Sequence, residues 1–344
     1  MAANIPDTFR AWQYSTRNKP FESNLKLNTI PQFKVPASGI TDKTQAILVK
    51  IHAVSLNPAD YKVPTTPILG YFMNKKPATP GLDYSGVIAA IPDGFKTDLK
   101  VGDRVIGRID WPYQHGTLAE YILGQPNGLV KLPDSASFEQ GAALGTGALS
   151  ALQPLEPYVK PGDSVFINGG SGGVGSFTTQ IAKLLGAGHV TVTCGPANID
   201  RVRSLGADEV INYREKDVTV HLKEAGRVYD VIIENVGNTD KLYENSHHFL
   251  KPTGKFVQVA GTNALFVAKR AILPGFLGGG KRSYSFFLTS NSTEQLSRLA
   301  GWLGEGKLKA DIDEVFKFED APKAYEKLRS ERAKGKIIVK VVED

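Results

Sequence analysis

Six residues in the middle of the chain, Gly170-Ser171-Gly172-Gly173-Val174-Gly175, have the types and spacing of a phosphate-binding loop. They fit the pattern G-x-G-x-x-G, which is a weak signal when it stands alone. Here the loop follows the apolar run SVFIN and opens the helical stretch VGSFTTQIAKLL, which is the context that the pattern requires. Glycines allow a tight turn and a close approach to a pyrophosphate, and the amides at the helix N-terminus bind the anion. The loop therefore predicts a dinucleotide site.

The end of the next predicted strand, HVTVTC, indicates which dinucleotide is bound. Sites specific for NAD carry an Asp or Glu there that binds the ribose 2′-hydroxyl. In this chain the stretch from Cys194 to Asn198 has no carboxylate, and Asp200 is the first one. We expect Cys194 and Asn198 to contact the cofactor. A carboxylate would repel a 2′-phosphate, so its absence favours NADPH, with Arg201 or Arg203 as a source of positive charge.

Residues that could hold a metal ion are scarce. Cys194 is the one cysteine of the chain, and the six histidines show neither HExxH nor a comparable ligand spacing. A disulfide framework and a cysteine-rich zinc site are excluded, and we expect a metal-free protein.

The elements that must position the glycine loop alternate from residue 164 onwards. The strand candidates are SVFIN, HVTVTC, EVINY, YDVIIENV and KFVQVAG, and the helical stretches between them are VGSFTTQIAKLLGA, NIDRVRSLGA and DKLYENSHHFLK. This alternation predicts parallel βαβ units in an open sheet whose strands are buried on both faces. The carboxyl ends of such strands face the ligand, so we expect cofactor contacts from Asn235, Val236, Gly237 and Gly261.

The two ends of the chain have a different pattern. Before residue 130 the short runs AILVKIHAVSL, YSGVIAAI, GDRVIGRI and TLAEYILG predict a β-rich, barrel-like domain. After about residue 285 the sequence predicts a helix (STEQLSRLAGWLGEG), a strand (DIDEVFKF), a helix opened by Ala321-Pro322, and a strand (KIIVKVVE). We expect this tail to rejoin the first domain, because the alternation of strands and helices is already complete.

Composition narrows the class of protein. The 344 residues are 41% hydrophobic and 22% charged, which is typical of one large or two ordinary globular domains. The net charge of +6 comes from scattered lysines and arginines, so it favours an ordinary basic enzyme surface over nucleic-acid binding. No apolar stretch approaches the ~18 residues of a membrane span. The N-terminus, MAANIPDTFRAW, lacks the apolar core of a secretion signal, which predicts a cytoplasmic protein.

Several further motifs, in this order, resemble the zinc-free quinone oxidoreductase-like branch of the medium-chain dehydrogenase/reductase superfamily over essentially the whole chain. They are Asn57-Pro58-Ala59-Asp60-Tyr61-Lys62, Pro80-Gly81-Leu82-Asp83-Tyr84-Ser85-Gly86, Val101-Gly102-Asp103-Arg104-Val105, Leu205-Gly206-Ala207-Asp208 and Ile211-Asn212-Tyr213. The resemblance implies an α/β protein with a GroES-like β-barrel domain and an inserted Rossmann-fold domain, a doubly wound parallel sheet. We expect the GroES-like domain over 1–130, the Rossmann NADP-binding domain over 131–284, and a return to the GroES-like domain over 285–344.

The chain departs from the zinc alcohol dehydrogenases of this superfamily. Those enzymes place a catalytic Cys in the first motif and Gly-His-Glu in the second, where this chain has Asn57 and Leu82-Asp83. No soft ligand is present to hold zinc. The resemblance therefore implies hydride transfer from NADPH, without zinc, to a quinone or to the C=C bond of an α,β-unsaturated carbonyl. It also implies a homodimer.

The resemblance assigns catalytic roles in the first motif. Asn57 would hydrogen-bond the substrate carbonyl or the nicotinamide ribose; a plain turn before Pro58 is the alternative. Asp60 and Lys62 would form an ion pair that shapes the cleft, and Lys62 would lie near the ribose or substrate oxygen; an ordinary surface pair is the alternative. The proton would come from solvent or from a tyrosine, with Tyr61 and Tyr71 as candidates.

Further cofactor contacts follow from the same resemblance. Ser150 occupies the position beside the nicotinamide, with Thr146 as a close competitor, and Tyr213 would contact the 2′-phosphate. Phe287 and Leu288 would bring backbone groups to the nicotinamide, and Lys336 would approach a phosphate.

Two other classes of protein share parts of this pattern. A short-chain dehydrogenase needs Tyr-x-x-x-Lys downstream of the glycine loop, and the one such spacing here, Tyr71 to Lys75, lies about a hundred residues upstream. A non-catalytic NADPH-binding redox sensor or structural protein of the same fold remains the alternative, and turnover of a substrate would separate it from an enzyme.

Overall fold

The computed structural model describes residues 5–16, 20–66, 76–110, 115–237, 241–259, 270 and 280–342. The chain divides into two compact units, one of Met1–Leu149 with Ser290–Asp344 and the other of Ser150–Thr289. The chain thus passes between units after residues 149 and 289, compared with the 130 and 284 expected from the sequence.

The strands of the first unit are β1 (Thr8–Gln13), β2 (Lys26–Pro31), β3 (Ile47–Leu56), β4 (Asp83–Ala90), β5 (Arg104–Arg108), β6 (Tyr121–Gly124), β7 (Leu129–Lys131), β14 (Ile312–Lys317) and β15 (Lys336–Lys340). β1 and β2 form an antiparallel pair, and the other strands form a sheet of order β14-β15-β3-β4-β5-β7, with β6 paired to β3. β15 runs antiparallel to β3, so the tail completes the N-terminal sheet. Its core includes Ile47, Tyr84, Tyr325 and Val339, all at most 1% exposed.

The second unit has the strands β8 (Ser164–Asn168), β9 (His189–Cys194), β10 (Glu209–Asn212), β11 (Tyr229–Glu234), β12 (Leu250–Gln258) and β13 (Ser283–Phe286). All neighbours are parallel, in the order β10-β9-β8-β11-β12-β13. This is the strand order of a doubly wound Rossmann sheet, which confirms the predicted fold class.

The α-helices of the described chain are α1 (Pro58–Thr65), α2 (Phe138–Leu155), α3 (Gly175–Leu184), α4 (Ile199–Ser204), α5 (Val218–Glu224), α6 (Lys241–Glu244), α7 (Thr293–Gly304) and α8 (Ala321–Arg329). α7 begins after Ser292, whose hydroxyl accepts from the Gln295 N–H at 3.3 Å. α8 has Pro322 in its first turn, as predicted. None of the helices in the described ranges is long and apolar enough to cross a membrane.

One predicted helix is shorter in the structure than the sequence indicates. The predicted helix DKLYENSHHFLK is helical only over α6 and a 3₁₀ turn, Ser246–His248, before β12 begins at Leu250. Phe249 and Leu250 are both buried, and Leu250 pairs with Tyr229 of β11. Parallel pairing in the core thus overrides the local helical preference.

Candidate active site

The glycine loop joins β8 to α3. Gly169 has a φ of 81°, and a Cβ on Gly170 would lie 1.9 Å from Cγ1 of Val192. A Cβ on Gly175 would lie 2.0 Å from the Gly169 carbonyl oxygen, whereas one on Gly172 would meet no atom within 4 Å. The outer glycines therefore close the turn and Gly172 leaves an open face. This face and the N-terminus of α3 fit the pyrophosphate of a nicotinamide dinucleotide.

The turn after β11 carries polar atoms without partners. Both Oδ1 and Nδ2 of Asn235 are buried and have no hydrogen-bond partner among the described residues. The N–H groups of Val236 and Gly237 donate to Oε1 of Glu234 at 2.7 and 2.9 Å. Buried polar atoms without partners at the carboxyl end of a parallel strand fit a polar ligand. The other predicted strand-end residue, Gly261, lies outside the described residues.

Positive charge lies beside the glycine loop. The Arg201 guanidinium donates from Nη2 to the Ser171 carbonyl at 2.6 Å and to Oδ1 of Asn198 at 3.4 Å. Asp200, the first carboxylate after β9, has a fully exposed side chain that lies 3.8 Å from Nη1 of Arg203. The end of β9 therefore combines a cation near the loop with a carboxylate directed to solvent.

Tyr213 and Cys194 lie at the same strand end. The Tyr213 N–H donates to the Cys194 carbonyl at 3.3 Å, and the Tyr213 side chain is 53% exposed. Its hydroxyl lies 3.3 Å from the position of a Cβ on Gly195, so a larger residue at 195 would crowd the ring. The Cys194 thiol is buried, and burial raises its pKa. At this strand end Cys194 presents backbone atoms, because its thiol is buried, and Tyr213 presents an accessible ring.

Three residues expected beside the nicotinamide, Ser150, Phe287 and Leu288, belong to the second unit. The Ser150 and Thr289 hydroxyls hydrogen-bond each other within the second unit. Leu288 is 77% exposed. The Phe287 N–H donates to the Gln258 carbonyl at 2.9 Å, so this N–H is engaged within the sheet, and a contact of other Phe287 backbone atoms with the nicotinamide stays a prediction.

The first unit contains a buried polar group that we name the Lys336 cluster: Asn57, Asp60, Asp83, Thr146 and Lys336. Nζ of Lys336 donates to Oδ1 of Asn57 at 2.7 Å and lies 3.8 Å from Oδ2 of Asp83. Nδ2 of Asn57 donates to Oδ2 of Asp83 at 2.8 Å. Every member except Thr146 is less than 5% exposed, so the charges neutralise one another away from water.

The Asp83 carboxylate connects this cluster to a break in α2. Gly145 has non-helical φ and ψ of −29° and −105°, and its missing side chain lets the Asp83 carboxylate approach. Oδ1 of Asp83 accepts from the backbone N–H and the hydroxyl of Thr146 at 2.8 and 2.7 Å. The carboxylate therefore caps the second half of the helix, where negative charge stabilises a helix N-terminus. Because the Thr146 hydroxyl also accepts from Nε of Arg108 at 3.1 Å, it is engaged within the first unit.

Three sequence expectations are corrected by this cluster. Both amide hydrogens of Asn57 are engaged, one by Asp83 and one by the Ser55 carbonyl at 3.2 Å, so none is left for a substrate carbonyl. Asp60 is buried and Lys62 is exposed, so the expected ion pair does not form; positions i and i+2 of a helix do not face each other. Lys336 does not lie at a phosphate, because its ammonium is buried among Asn57, Asp83 and the Leu56 carbonyl.

Tyr61, one of the two proton-donor candidates, does not lie in this cluster. The Tyr61 ring packs against Phe21 with centroids 6.5 Å apart, in the core of the first unit. Burial raises the pKa of Tyr61, which makes its hydroxyl a weaker acid. Tyr71 lies outside the described residues.

The Lys336 cluster does not fit the zinc ion of the alcohol dehydrogenases. The donor set there would be Asn57, Leu82 and Asp83, and the Leu82 side chain is apolar and 1% exposed. A fixed ammonium already contacts Asn57 and Asp83 and would repel a second cation. Among the described residues, no group of three or more His, Cys, Asp and Glu side chains is arranged to hold a metal ion.

The raised pKa of Asp60 predicts that the free energy of unfolding falls as pH rises. Oδ2 of Asp60 accepts from the Asn57 N–H at 2.8 Å, Oδ1 has no partner among the described residues, and burial raises the pKa of Asp60 from 3.8 to about 8. Between these values the folded state holds a proton that the unfolded state has released. The stabilisation is complete below about pH 3.8 and is lost progressively as pH rises to about 8, by about 1.4 kcal/mol per pH unit at most.

Asp60→Asn removes this titration. The free energy of unfolding of the variant and of the wild type is measured by urea denaturation. We expect the difference, variant minus wild type, to increase by about 1 kcal/mol or more between about pH 5.5 and 8. Titrating groups that do not interact with Asp60 cancel in the difference. Asp200→Asn, at a fully exposed carboxyl, serves as the control and should parallel the wild type. A parallel Asp60→Asn curve would contradict the prediction.

Sequence reasoning missed the roles of Glu234, Arg108 and Asp83. Each is a charged residue that ends or begins a mostly apolar strand, and each is at most 3% exposed. A charge placed at the end of an apolar run was the available signal, since a charged residue is almost never fully buried unless it is paired.

Comparison with known proteins places the chain in a family. Residues 43–134 match the profile described as "Alcohol dehydrogenase GroES-like domain", and residues 205–339 match "Zinc-binding dehydrogenase". The chain is 42% identical to the trans-enoyl reductase pgmF of Aspergillus terreus, covering all of this chain and 99% of that protein.

Two further proteins match at lower identity. The chain is 31% identical to the chloroplast envelope quinone oxidoreductase homolog of Arabidopsis thaliana, covering 87% of this chain and 91% of that one. The structure of the quinone oxidoreductase from Coxiella burnetii superimposes with a TM-score of 0.83 at 30% identity, over 97% of this chain and all of that one. This chain is an oxidoreductase, and it belongs to the quinone oxidoreductase-like branch of the medium-chain dehydrogenase/reductase superfamily.

Proposed function

We propose that this protein is an NADPH-dependent oxidoreductase that transfers a hydride, without zinc, to the C=C bond of an α,β-unsaturated carbonyl or to a quinone. The observation that carries the proposal is the open glycine loop. The Arg201 guanidinium lies beside this loop, and the Asp200 carboxylate is directed to solvent. The names of the relatives support the acceptor class: they include a trans-enoyl reductase, a 2-methylene-furan-3-one reductase of Solanum lycopersicum and quinone oxidoreductases.

NADPH is favoured over NADH by charge. Arg201 is held at the loop by the Ser171 carbonyl, close to the end of β9 where the adenosine ribose binds in this fold. Arginine pairs well with phosphate because its donors are planar and permanently charged. Tyr213 offers an exposed ring and hydroxyl at the same strand end. One relative, from Arabidopsis thaliana, is named as an NADPH-dependent alkenal/one oxidoreductase.

The chain's own groups position the coenzyme. The amides of the glycine loop and of the first turn of α3 would hold the pyrophosphate, and the amide of Asn235 would bind a polar group at the carboxyl end of β11. When bound, the nicotinamide coenzyme supplies the hydride. The protein contributes orientation and the exclusion of water, which are large effects when two reactants must meet in one geometry.

The Lys336 cluster supports the zinc-independent part of the proposal, because its residues do not fit a zinc ion. A protein with no Lewis acid to polarise an isolated carbonyl is suited to acceptors that conjugation already activates, such as enones, enals and quinones. A homodimer and a cytoplasmic location stay predictions from the sequence.

The test is an assay of NADPH and NADH oxidation with a short enone and a quinone as parallel acceptors, with and without a chelator. We expect turnover with NADPH, little with NADH, and no loss with the chelator. Arg201→Met should reduce the preference for NADPH by about tenfold, which is about 1.4 kcal/mol. Arg203→Met, at a largely exposed side chain, is the matched control and should keep the preference.

Each failure has a distinct meaning. Tight NADPH binding with neither acceptor consumed would support the non-catalytic sensor. A preference for NADH, or a chelator-sensitive activity, would overturn the cofactor or the zinc part of the proposal.

A further inference from the structure

We infer that Glu234 is a positioning residue for the coenzyme: a single chain of hydrogen bonds through its side chain fixes both the glycine loop and the turn that carries Asn235. The inference rests on the proposed function, because it concerns how the dinucleotide site is held in shape. It adds a residue that contacts neither the substrate nor the coenzyme.

The Glu234 carboxylate is saturated with donors. It lies at the end of β11, is 2% exposed, and accepts from the N–H groups of Val236 and Gly237 on Oε1. Oε2 accepts from Nδ2 of Asn168 at 2.8 Å. Gly237 has a φ of 71°, a conformation that glycine adopts without strain. The turn is therefore tight because its own amides fold back onto the side chain that precedes it.

The chain of bonds continues to the glycine loop. Oδ1 of Asn168 accepts from the Thr193 hydroxyl at 2.6 Å, and Oγ1 of Thr193 accepts from the Gly169 N–H at 2.8 Å. The Gly170 N–H donates to the Thr193 carbonyl at 2.9 Å. The bonds thus join the carboxyl ends of β8, β9 and β11, three adjacent strands of the sheet, to the first two residues of the loop.

Each link in this chain has one possible direction. The Gly169 N–H can only donate, so the Thr193 hydroxyl proton is free to go to Oδ1 of Asn168. The Asn168 amide nitrogen then faces Glu234, which must accept on both carboxylate oxygens. Burial raises the pKa of Glu234, and the three N–H donors oppose that rise by stabilising the carboxylate. A buried network of this kind is rigid only when every donor has its acceptor.

Asn235 connects the rigidity of this network to coenzyme binding. It lies between Glu234 and the two amides that bond to Glu234, so its backbone is fixed by the same turn. Its side-chain amide is the group with both polar atoms buried and without a hydrogen-bond partner in the described part of the chain. Loosening Glu234 would therefore displace a ligand-binding amide and the phosphate loop together.

An isosteric exchange tests the inference. In Glu234→Gln the new amide nitrogen faces Nδ2 of Asn168, so two donors oppose each other. In Asn168→Asp two carboxylates face each other at the 2.8 Å separation of the present bond, which is strongly unfavourable.

The double variant Glu234→Gln/Asn168→Asp reverses the direction of this bond and keeps its shape. The amide nitrogen introduced at position 234 donates to the carboxylate introduced at position 168. The amide oxygen at position 234 still accepts from the two turn N–H groups, and the carboxylate at position 168 still accepts the Thr193 hydroxyl. Net charge is then the same as in the wild type.

The readouts are the Kd values for NADPH and for 2′,5′-ADP, together with the thermal midpoint of each variant. We expect NADPH binding to weaken about tenfold or more in each single variant and to return to within about threefold of the wild type in the double variant. Binding of 2′,5′-ADP should also weaken, but less than that of NADPH, because it places a phosphate at the glycine loop and lacks the nicotinamide half that would reach the turn at Asn235.

Three outcomes would overturn the inference: single variants that bind NADPH like the wild type, equal losses for NADPH and 2′,5′-ADP, or a double variant no better than the singles. If a single variant does not fold, recovery of folding and of NADPH binding in the double variant is the deciding result. A wild type that binds neither NADPH nor NADH would instead contradict the proposed function.

Discussion

Lys336→Met is expected to lower the free energy of unfolding by about 3–5 kcal/mol at neutral pH, because it removes the cation from a buried group of charges. The Lys336 side chain is 4% exposed, and its ammonium is bonded to Oδ1 of Asn57 at 2.7 Å. Without it, the Asp83 carboxylate is buried at 0% exposure with no nearby cation in the cluster, and the Asn57 carbonyl oxygen loses its donor. Methionine fills the space but replaces neither interaction.

Urea denaturation at neutral pH measures this effect. Lys340→Met, in the same strand, is the matched control, because Lys340 lies 3.9 Å from Glu139 in a partly exposed ion pair. Such pairs contribute about 0–1 kcal/mol. Adding Asp83→Asn to Lys336→Met should recover part of the loss, since it removes the unpaired charge. Equal effects at 336 and 340 would contradict the role given to Lys336.

Gly175→Ala is expected to weaken NADPH binding by about a hundredfold and to lower stability by about 1–3 kcal/mol. The added Cβ would lie 2.0 Å from the Gly169 carbonyl oxygen and 2.7 Å from Cα of Gly170. Both are backbone atoms, so the loop and the first turn of α3 must separate. The amides that would bind the pyrophosphate move with them.

Titration with NADPH and thermal unfolding check this prediction. Gly301→Ala, in α7 of the first unit, is the control, because a Cβ there meets nothing within 4 Å and alanine favours a helix. Gly172→Ala should keep the thermal midpoint, since its Cβ would enter open space. Unchanged NADPH binding in Gly175→Ala would show that the loop is not the pyrophosphate site.

The second unit was predictable from sequence because its signals are local. The run SVFIN, the glycines that follow and the helix VGSFTTQIAKLL lie within about twenty residues, and each has its own pattern. The strand ends at Asn235 and Cys194 could be placed for the same reason. The predicted helix before β12 failed where burial of Phe249 and Leu250 in the sheet decided the structure.

The Lys336 cluster was not predictable, because its members are far apart in sequence. Asn57 and Lys336 are 279 residues apart, and although Lys336 begins the apolar run KIIV, nothing near it in sequence indicates its partners. The break at Gly145 could not be foreseen either, since the group that packs against it, the Asp83 carboxylate, is far away in sequence. The expectation for Lys62 was drawn from its neighbours along the chain, whereas the cation nearest to Asn57 comes from β15.

The order of synthesis gives this separation a consequence for folding in the cell. Asn57, Asp60 and Asp83 leave the ribosome long before β15, which supplies both a strand next to β3 and the cation that balances the Asp83 carboxylate. The second unit, Ser150–Thr289, is continuous in sequence and can complete its sheet while the first unit still waits for its missing strand. Nascent chains arrested before residue 336 should therefore protect the second unit from protease and leave the first unit open to cleavage.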